Sequence, residues 1–292
     1  MARKTEKDQT RFQAGLKEFA KSRLSIFAAV VLLLLILFSF AGPVLIGQDP
    51  EALDLAHMLN GPSAGHLLGT DELGRDILTR LAYGGRVSIS VGIFATLFKV
   101  VVGVLLGCIA GLYGGVAESV IMRIVDIIMC FPFFVIALSL AAITGPSYIN
   151  TILIIGVLGW PGVCRIVRSK VLSLKNVEYV EAARTLGLSQ MEIIFRHILP
   201  NASGPIIVYT TLSVANAVLM EASLSFLGLG VAKPQSSWGT MLSAAQNMSI
   251  LQNNWWMWIP AGVMVLLTVL SINFLGDGLA GVLDPQSKGR GM

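Results

Sequence analysis

Long apolar runs alternate with short polar segments along almost the whole chain. Six of these runs approach the roughly 20 residues that an α-helix needs to cross the hydrocarbon core of a bilayer. They occupy approximately residues 25–46, 87–112, 121–143, 150–168, 204–228 and 257–277. The fourth run is the shortest, and Trp160-Pro161 interrupts it before it ends in Arg165 and Arg168. The pattern predicts an all-α membrane protein with six transmembrane helices.

The composition agrees with this prediction. Hydrophobic residues make up 54% of the 292-residue chain and charged residues only 13%, whereas soluble domains carry about 25% charged residues. A chain with so little charge is poorly suited to facing water on all sides. The net charge of +4 does not indicate nucleic acid binding, because the lysines and arginines cluster between the apolar runs, as topology signals do.

The residue types that commonly bind metals form no recognisable motif. The three cysteines lie within apolar runs, where we interpret them as small buried hydrophobic residues. The three histidines have no metal-ligand spacing. These residues are Cys108, Cys130, Cys164, His57, His66 and His197. We therefore expect no metal site and no cofactor bound directly by this chain.

The basic residues also predict an orientation. With a cytoplasmic N-terminus, six crossings put most lysines and arginines on the cytoplasmic side, as the positive-inside rule requires. The first apolar run exceeds the roughly 7–15 residues of a signal-peptide core, so we interpret it as a retained signal anchor. The predicted organisation is a basic cytoplasmic segment 1–24, a first helix 25–46, an extracytoplasmic segment 47–86, a transmembrane domain 87–284 and a cytoplasmic tail 285–292.

The transmembrane domain contains a charged segment, residues 178–201, whose pattern predicts a helix, a turn and a second helix. We place it in a cytoplasmic loop of about residues 171–202. Asn176 is expected to cap the first helix, and Gly187 is expected to follow its end in a left-handed conformation. Ala182 and Ala183 have minimal side chains, so they allow another backbone to approach closely.

A capping box at Ser189-Gln190-Met191-Glu192 predicts the start of the second helix. An apolar stripe with helical spacing follows, and we expect it to pack against the transmembrane helices. The stripe consists of Met191, Ile194, Phe195, Ile198 and Leu199. Pro200 is expected to end the helix and Pro205 to open the next span.

Two interpretations of this segment are open. It can rest on the lipid headgroups, or it can dock onto a partner protein. A lipid-facing helix more usually has bulky anchors and a lysine-rich polar face. The small-residue tip followed by a glycine turn therefore favours docking.

The spacing of Glu181-Ala182-Ala183, Gly187 and Leu199-Pro200 resembles the "EAA" loop of binding-protein-dependent ABC importer permeases. Three further stretches are similar to the dipeptide/oligopeptide/nickel permease subfamily. They are residues 66–76, 237–242 and 275–285. The resemblance covers about residues 20 to 286. It implies the transmembrane domain of a type I ABC importer, in a prokaryotic plasma (inner) membrane, with both termini in the cytoplasm.

The resemblance also implies a set of partners. They are a second homologous permease, two cytoplasmic ATPase subunits that use ATP and Mg²⁺, an extracytoplasmic solute-binding protein, a peptide substrate and membrane lipid. The charged segment would be the coupling loop. Its implied ATPase-coupling residues are Glu181, Ala182, Ala183, Arg184, Gly187, Leu199 and Pro200. The chain lacks the phosphate-binding motif G-x-x-x-x-G-K-[ST], so we expect a non-catalytic subunit.

Ionisable residues inside the predicted spans are costly and usually face protein or water. Lys99 and Glu221 are candidates for a translocation path. The alternative for Lys99 is snorkelling or pairing with a neighbouring subunit, and the alternative for Glu221 is a buried structural hydrogen bond. Arg123 and Asp126 are three residues apart on one predicted helix, so we expect them to form a local ion pair.

Two further patterns concern packing. Gly103, Gly107 and Gly111 recur every four residues and predict a seam for close helix packing, which we place toward the partner permease. Pro132 and Pro161 are expected to kink their helices.

The acidic residues of the predicted extracytoplasmic segment have two interpretations. Asp71, Glu72 and Asp76 can suggest a cation site, but they lack the spacing of a metal cage. A compact, capped structure that receives the binding protein or seals the pore is favoured.

The leading hypothesis is a permease subunit of an ATP-driven importer for dipeptides or oligopeptides. An importer of nickel or metal chelates is the alternative within the same family. A self-sufficient secondary transporter is less consistent, because such proteins often carry inverted repeats with broken helices, and no such symmetry is visible here. No set of catalytic residues supports a membrane enzyme.

Overall fold

The computed structural model describes residues 22–283. The predicted tail 285–292 and all but three residues of the predicted segment 1–24 lie outside this range. The described residues form α-helices joined by loops and short 3₁₀ turns, with no β-strand among residues 22–283. The helices are α1 (Arg23–Ile46), α2 (Ile77–Tyr113), α3 (Gly115–Cys130), α4 (Phe133–Thr144), α5 (Tyr148–Leu174), α6 (Glu178–Thr185), α7 (Gln190–Ile193), α8 (Leu199–Phe226), α9 (Trp238–Leu242), α10 (Met248–Asn253) and α11 (Ile259–Leu283).

The long apolar helices give five or six candidate membrane spans. Within residues 22–283, five helical stretches are long and apolar enough to span a bilayer, and α3 with α4 reaches that length only when the bent pair is counted as one broken span. The pair bends by 86°, which confirms the kink predicted at Pro132 and divides the run 121–143 between two helices. Pro132 lies in the break with ψ of 123°. Proline lacks a backbone N–H and disfavours the helical conformation of the residue before it, so the helix ends at Cys130 and restarts at Phe133.

The second helix is longer than its apolar run. It begins at Ile77, ten residues before the predicted start at 87, because Asp76 caps it by accepting a hydrogen bond from Thr79 N at 2.8 Å. A helix of 37 residues is about 55 Å long at about 1.5 Å per residue. It therefore extends beyond the hydrocarbon core.

Two other prolines lie within continuous helical stretches: Pro161 was expected to kink its helix, and Pro200 was expected to end one. Pro161 stands inside α5, and Pro200 does not end the helix before it. A π-helical turn at Ile194–Ile198 links α7 to α8 directly. The wider π turn changes the hydrogen bonding just before Pro200, so the missing N–H and the bulk of the ring are accommodated without a break.

The bundle has two structurally different ends. The first, here called the loop end, carries the segments 47–76 and 227–258, which are joined where Trp256 Nε1 donates to Thr70 O at 3.2 Å. The other, here called the elbow end, carries α6 and α7. Ser25 Oγ donates to Phe274 O, so the start of α1 lies beside the later half of α11. Both ends of the described chain are therefore at the elbow end.

A glycine seam joins α2 to α5. An added Cβ at Gly103 would lie 2.5 Å from Val163 Cβ, and one at Gly107 would lie 2.8 Å from Cys164 O. Gly111 meets Val171 in the same way. The prediction of close packing is confirmed. The placement toward a partner permease was wrong, because α5 of the same chain fills the seam.

Candidate functional site

The elbow, residues 175–200, links α5 to α8 at the elbow end of the bundle. Its first helix, α6, starts after Val177 with no side-chain cap, so the prediction that Asn176 caps it was wrong. Glu178 and Glu181 lie in the first turn of α6, where carboxylates interact favourably with the positive end of the helix dipole.

Gly187 ends α6 as predicted. Its φ is +80°, a left-handed conformation that costs glycine no Cβ clash. Its N–H donates to Arg184 O at 3.0 Å, and Leu188 N donates to Ala183 O at 3.2 Å. This bonding pattern is a Schellman motif. The turn between the two elbow helices is thus held by backbone hydrogen bonds that depend on the conformation of Gly187.

The second elbow helix starts at the predicted capping box. Ser189 Oγ accepts a hydrogen bond from Glu192 N at 3.3 Å, and Glu192 Oε2 accepts one from Ser189 N at 3.0 Å. The box and the Schellman motif lie on either side of Leu188. Together they give the turn a single defined geometry.

The inner face of the elbow is apolar and joined to the transmembrane helices. Its buried residues belong to one cluster with residues of α5. The members are Val180, Ala183, Ile193, Ile194 and Ile198 of the elbow, with Val163, Val167 and Val171 of α5 and Cys108 of α2. The inner face of the elbow is therefore packed directly onto α5.

Part of the predicted apolar stripe does not face this cluster. Met191 and Phe195 are 56% and 57% exposed, so the prediction that they pack inward was wrong. Ile193 takes the inner position instead. The π turn has more residues per turn than an α-helix, so positions that share a face at a period of 3.6 do not stay together here.

The outer face of the elbow presents several of the residues singled out by the sequence. Ala182 is exposed, whereas Ala183 is 4% exposed and faces the elbow's own core. Leu186 is 80% exposed, although sequence reasoning gave it no role. The sequence signal that could have identified Leu186 is its position as an apolar residue directly before the glycine that ends the helix. The remaining exposed residues of the predicted set are Glu181, Arg184, Gly187 and Pro200, while Leu199 is partly buried.

The charges on the outer face are largely unpaired. Glu181 forms no ion pair with any residue between 22 and 283. Arg196 and Glu192 approach only to 3.9 Å. The exposed face therefore offers a free carboxylate beside small and apolar side chains, a combination suited to a protein partner.

Glu221 lies at the loop end, fully buried by this chain alone. Its Oε2 accepts a hydrogen bond from Ser88 Oγ and its Oε1 accepts one from Ser225 Oγ, both at 2.7 Å. Ser88 Oγ in turn accepts the N–H of Trp238 at 3.1 Å. The carboxylate thus ties α2, α8 and α9 together, and in this conformation it does not line an open path.

Lys99 is also enclosed, at 6% exposure. Its Nζ donates to Ser213 O of α8 at 3.1 Å. An added Cβ at Gly159 of α5 would lie 2.9 Å from Lys99 Cδ. The glycine therefore provides the space for the lysine stem between three helices, and the ammonium group bonds within the chain.

Two ion pairs join α3 to α5. Asp126 pairs with Arg165 at 2.5 Å, and Glu118 pairs with Arg168. The prediction that Arg123 pairs with Asp126 was wrong, because the neighbouring helix offers an arginine that the linear sequence could not place.

The segment 47–76 is compact, as expected. Asp71 accepts hydrogen bonds from Leu73 N and Arg75 N at 2.8 and 3.0 Å, and it pairs with Arg75 and Arg80. A hydrogen bond to the ring of His57 lowers the pKa of the exposed Asp54 carboxyl below its ordinary value. The segments 47–76 and 227–258, with the start of α2, line an open cavity of about 430 Å³ whose charged lining residues are Asp71, Glu72, Arg75, Arg80 and Lys233.

Two protein-family models together match most of the chain. Residues 103–289 match the model of the binding-protein-dependent transport system inner membrane component. Residues 10–62 match the model of the N-terminal transmembrane domain of oligopeptide transport permease C.

Curated relatives match over almost the full length. A dipeptide transport system permease protein of Alkalihalophilus pseudofirmus is 40% identical over 95% of this chain and 90% of the relative. A probable D,D-dipeptide transport system permease protein of Escherichia coli is 39% identical over 97% and 95% of the two chains. A glutathione transport system permease protein of Pectobacterium atrosepticum is 37% identical over 93% and 90%.

A solved structure supports the fold. The inward-facing MetNI methionine ABC transporter superposes with a TM-score of 0.57 at 19% identity, covering 70% of this chain and 96% of that chain. The likeness extends to the arrangement of helices and not to residue roles.

Proposed function

Because this chain belongs to the family of binding-protein-dependent transport system inner membrane components, we propose that it is the permease subunit of an ABC importer that moves dipeptides or oligopeptides. The observation that carries the proposal is the match of about 40% identity over nearly the full length of peptide permeases. The relatives named above are permeases for dipeptides, D,D-dipeptides and glutathione. They favour a peptide substrate over nickel or a metal chelate.

The elbow is proposed to be the site that couples this chain to a cytoplasmic ATPase. Its inner face is packed onto α5, while its outer face exposes Glu181, Ala182 and Leu186. In this proposal Glu181 makes a charge-assisted contact, Ala182 allows close approach and Gly187 sets the angle of the turn. ATP and Mg²⁺ are used by two ATPase subunits, and their closure moves the elbow and the helices attached to it.

The orientation is proposed with the elbow in the cytoplasm of a prokaryotic cell. Both ends of the described chain lie at the elbow end, and the basic residues of segment 1–24 continue from one of them. The positive-inside rule then places both termini in the cytoplasm and the loop end outside. The loop end, with its open cavity lined by both acidic and basic side chains, is the surface proposed to receive a solute-binding protein.

A second permease is proposed to cover part of the transmembrane surface. Large apolar side chains on α3 are exposed in the single chain, among them Ile124, Ile127 and Met129. Surfaces of this kind face lipid or another membrane subunit. In this proposal α3 and α4 contribute to the contact with the second permease, and α1 faces lipid.

Reconstitution into vesicles tests the function. The complete importer with its binding protein is expected to accumulate a labelled dipeptide when ATP is supplied at the ATPase face, and not to accumulate Ni²⁺. The chain alone is expected to move neither solute. Ion-gradient-driven uptake by the chain alone would instead identify a secondary transporter and overturn the proposal.

A further inference from the structure

Three metal-ligating side chains meet on the surface of the segment 47–76. Asp54, His57 and His66 each offer one ligand atom, and these atoms all lie within 4.8 Å of one another. Asp54 is the N-cap of the 3₁₀ turn Leu55–His57. His66 comes from the next turn of the chain. The three side chains are therefore brought together by the folding of the loop, and no sequence motif identifies them as a group.

The donor types suit a late first-row divalent cation. Imidazole nitrogen and carboxylate oxygen bind Zn²⁺ at about 2.0–2.2 Å, which puts two ligands of one ion roughly 3–4 Å apart. The side chains of His57 and Asp54 are 53% and 44% exposed, so they can rotate the short distance needed. Two imidazoles favour Zn²⁺, Ni²⁺ or Cu²⁺ over the hard cations Mg²⁺ and Ca²⁺.

A separate carboxylate orients His66. Its Nδ1 lies 3.1 Å from Asp76 Oδ2, while Asp76 Oδ1 caps α2 at Thr79 N. A hydrogen bond donated from Nδ1 leaves the Nε2 lone pair available to a metal. Histidine ligands in metal sites usually have this carboxylate partner for the second ring nitrogen. The contact between His66 and Asp76 does not depend on the clustering of the three ligands, and it also indicates a metal-binding role for His66.

Hydrogen bonds to residues 70–73 hold the 3₁₀ turn in place. Thr70 Oγ1 donates to His57 O, Leu59 N donates to Asp71 O at 2.9 Å, and Asp54 N donates to Leu73 O at 3.3 Å. A surface Asp–His hydrogen bond alone would explain the approach of Asp54 to His57. That hydrogen bond would not explain why the ring of His66, which Asp76 holds in place, lies beside Asp54 and His57.

We propose that Asp54, His57 and His66 bind one Zn²⁺-class divalent cation, with Asp76 as the positioning residue for His66. The ion joins the 3₁₀ turn to the turn that contains His66 and so stiffens the segment 47–76. Its remaining coordination positions face solvent and take water.

The test is direct titration of the full chain, purified through a histidine-free tag in detergent, with Zn²⁺ in a calorimeter. One Zn²⁺ per chain is expected to bind, and His57→Ala and His66→Ala are each expected to weaken binding by at least 100-fold. His197→Ala is the matched control, because it removes the third histidine of the chain and lies in the elbow. Mg²⁺ is expected not to bind.

Asp76→Asn tests the positioning role without removing the helix cap. The asparagine oxygen can still cap α2, but its NH₂ group replaces the oxygen that accepts from His66 Nδ1. Affinity for Zn²⁺ is expected to fall about 10- to 100-fold, the usual effect of losing such a partner. Thermal unfolding without metal shows that each variant is folded.

Two results would overturn the proposal. One is a wild-type chain that binds no Zn²⁺ at millimolar concentration. The other is binding that survives both His57→Ala and His66→Ala in folded protein, since the ion would then be held elsewhere.

Discussion

Glu221 Oε2 accepts a hydrogen bond from Ser88 Oγ at 2.7 Å, inside a bundle where neither residue is exposed to solvent. The same hydroxyl accepts the N–H of Trp238 at 3.1 Å. One serine thus links an acid on α8 to the first residue of α9. This arrangement gives an intramembrane carboxylate a structural role in the attachment of the loop end to the bundle.

Replacement of Glu221 is therefore expected to destabilise the fold. Glu221→Ala leaves the hydroxyls of Ser88 and Ser225 without their acceptor, and each buried unsatisfied group costs about 1–3 kcal/mol. Glu221→Gln keeps the shape and one acceptor, so its effect is expected to be smaller. The measurement is the thermal unfolding midpoint of the purified chain.

Glu178→Gln is the control for this pair, because Glu178 is exposed on the elbow. It is expected to leave the unfolding midpoint unchanged. An unfolding midpoint that stays at the wild-type value in Glu221→Ala, with peptide uptake lost, would assign Glu221 to transport and contradict the structural role.

The adjacent alanines of the elbow are expected to respond differently to the same substitution. Ala182→Leu enlarges an exposed position, so the free energy of unfolding is expected to change by no more than about 0.5 kcal/mol, while ATPase retention and peptide uptake fall. Ala183→Leu overpacks a buried position and is expected to destabilise the chain by about 1–3 kcal/mol. Co-purification of the ATPase and thermal unfolding separate the two effects.

Equal loss of stability in both variants would show that Ala182 is not on the outer face. Normal ATPase retention and uptake in Ala182→Leu would remove the elbow from the coupling interface.

Gly187→Asp is expected to abolish peptide uptake while membrane insertion survives. A non-glycine residue in the left-handed conformation costs roughly 1–2 kcal/mol, and here the distortion falls on the turn that sets the elbow angle. An added Cβ at Gly187 meets nothing within 4 Å, so packing is not the cause. Gly187→Asn is expected to retain more activity, because asparagine tolerates this conformation better.

Gly228→Asp is the matched control for that prediction. Gly228 has a φ of +78° and also meets nothing within 4 Å. Its N–H donates to Ser225 O as the N–H of Gly187 does to Arg184 O, but it lies at the loop end. ATPase retention is expected to be normal in Gly228→Asp. Equal loss of ATPase retention in both variants would indicate general misfolding instead of a local effect on coupling.

Adding even one methyl group to the glycine seam between α2 and α5 is expected to destabilise the fold. Gly107→Ala places a Cβ 2.8 Å from both Cys164 O and Val167 Cβ, and overpacking of this kind costs about 1–3 kcal/mol. Gly281→Ala is the control, because Gly281 is also helical but meets nothing within 4 Å. Alanine is favoured over glycine in a helix by about 1 kcal/mol, so this control is expected to be neutral or stabilising in the same unfolding assay. A neutral Gly107→Ala would contradict the close packing.

The sequence by itself determined the features that depend on near neighbours in the chain. The six apolar stretches follow from the length of chain needed to cross a bilayer. The Gly187 turn and the Ser189–Glu192 capping box follow from backbone bonds between residues a few positions apart. The EAA-type spacing led to the permease family, since it combines several such local signals in one order.

The tertiary structure alone decided which distant residues meet. Asp126 pairs with Arg165 and not with its neighbour Arg123, and the glycine seam of α2 receives α5 of the same chain. Met191 and Phe195 turn outward because a π turn shifts the helical register. Asp54, His57 and His66 come together only through the course of a loop. In each case the partner is chosen by the relative placement of elements far apart in sequence, which local spacing does not encode.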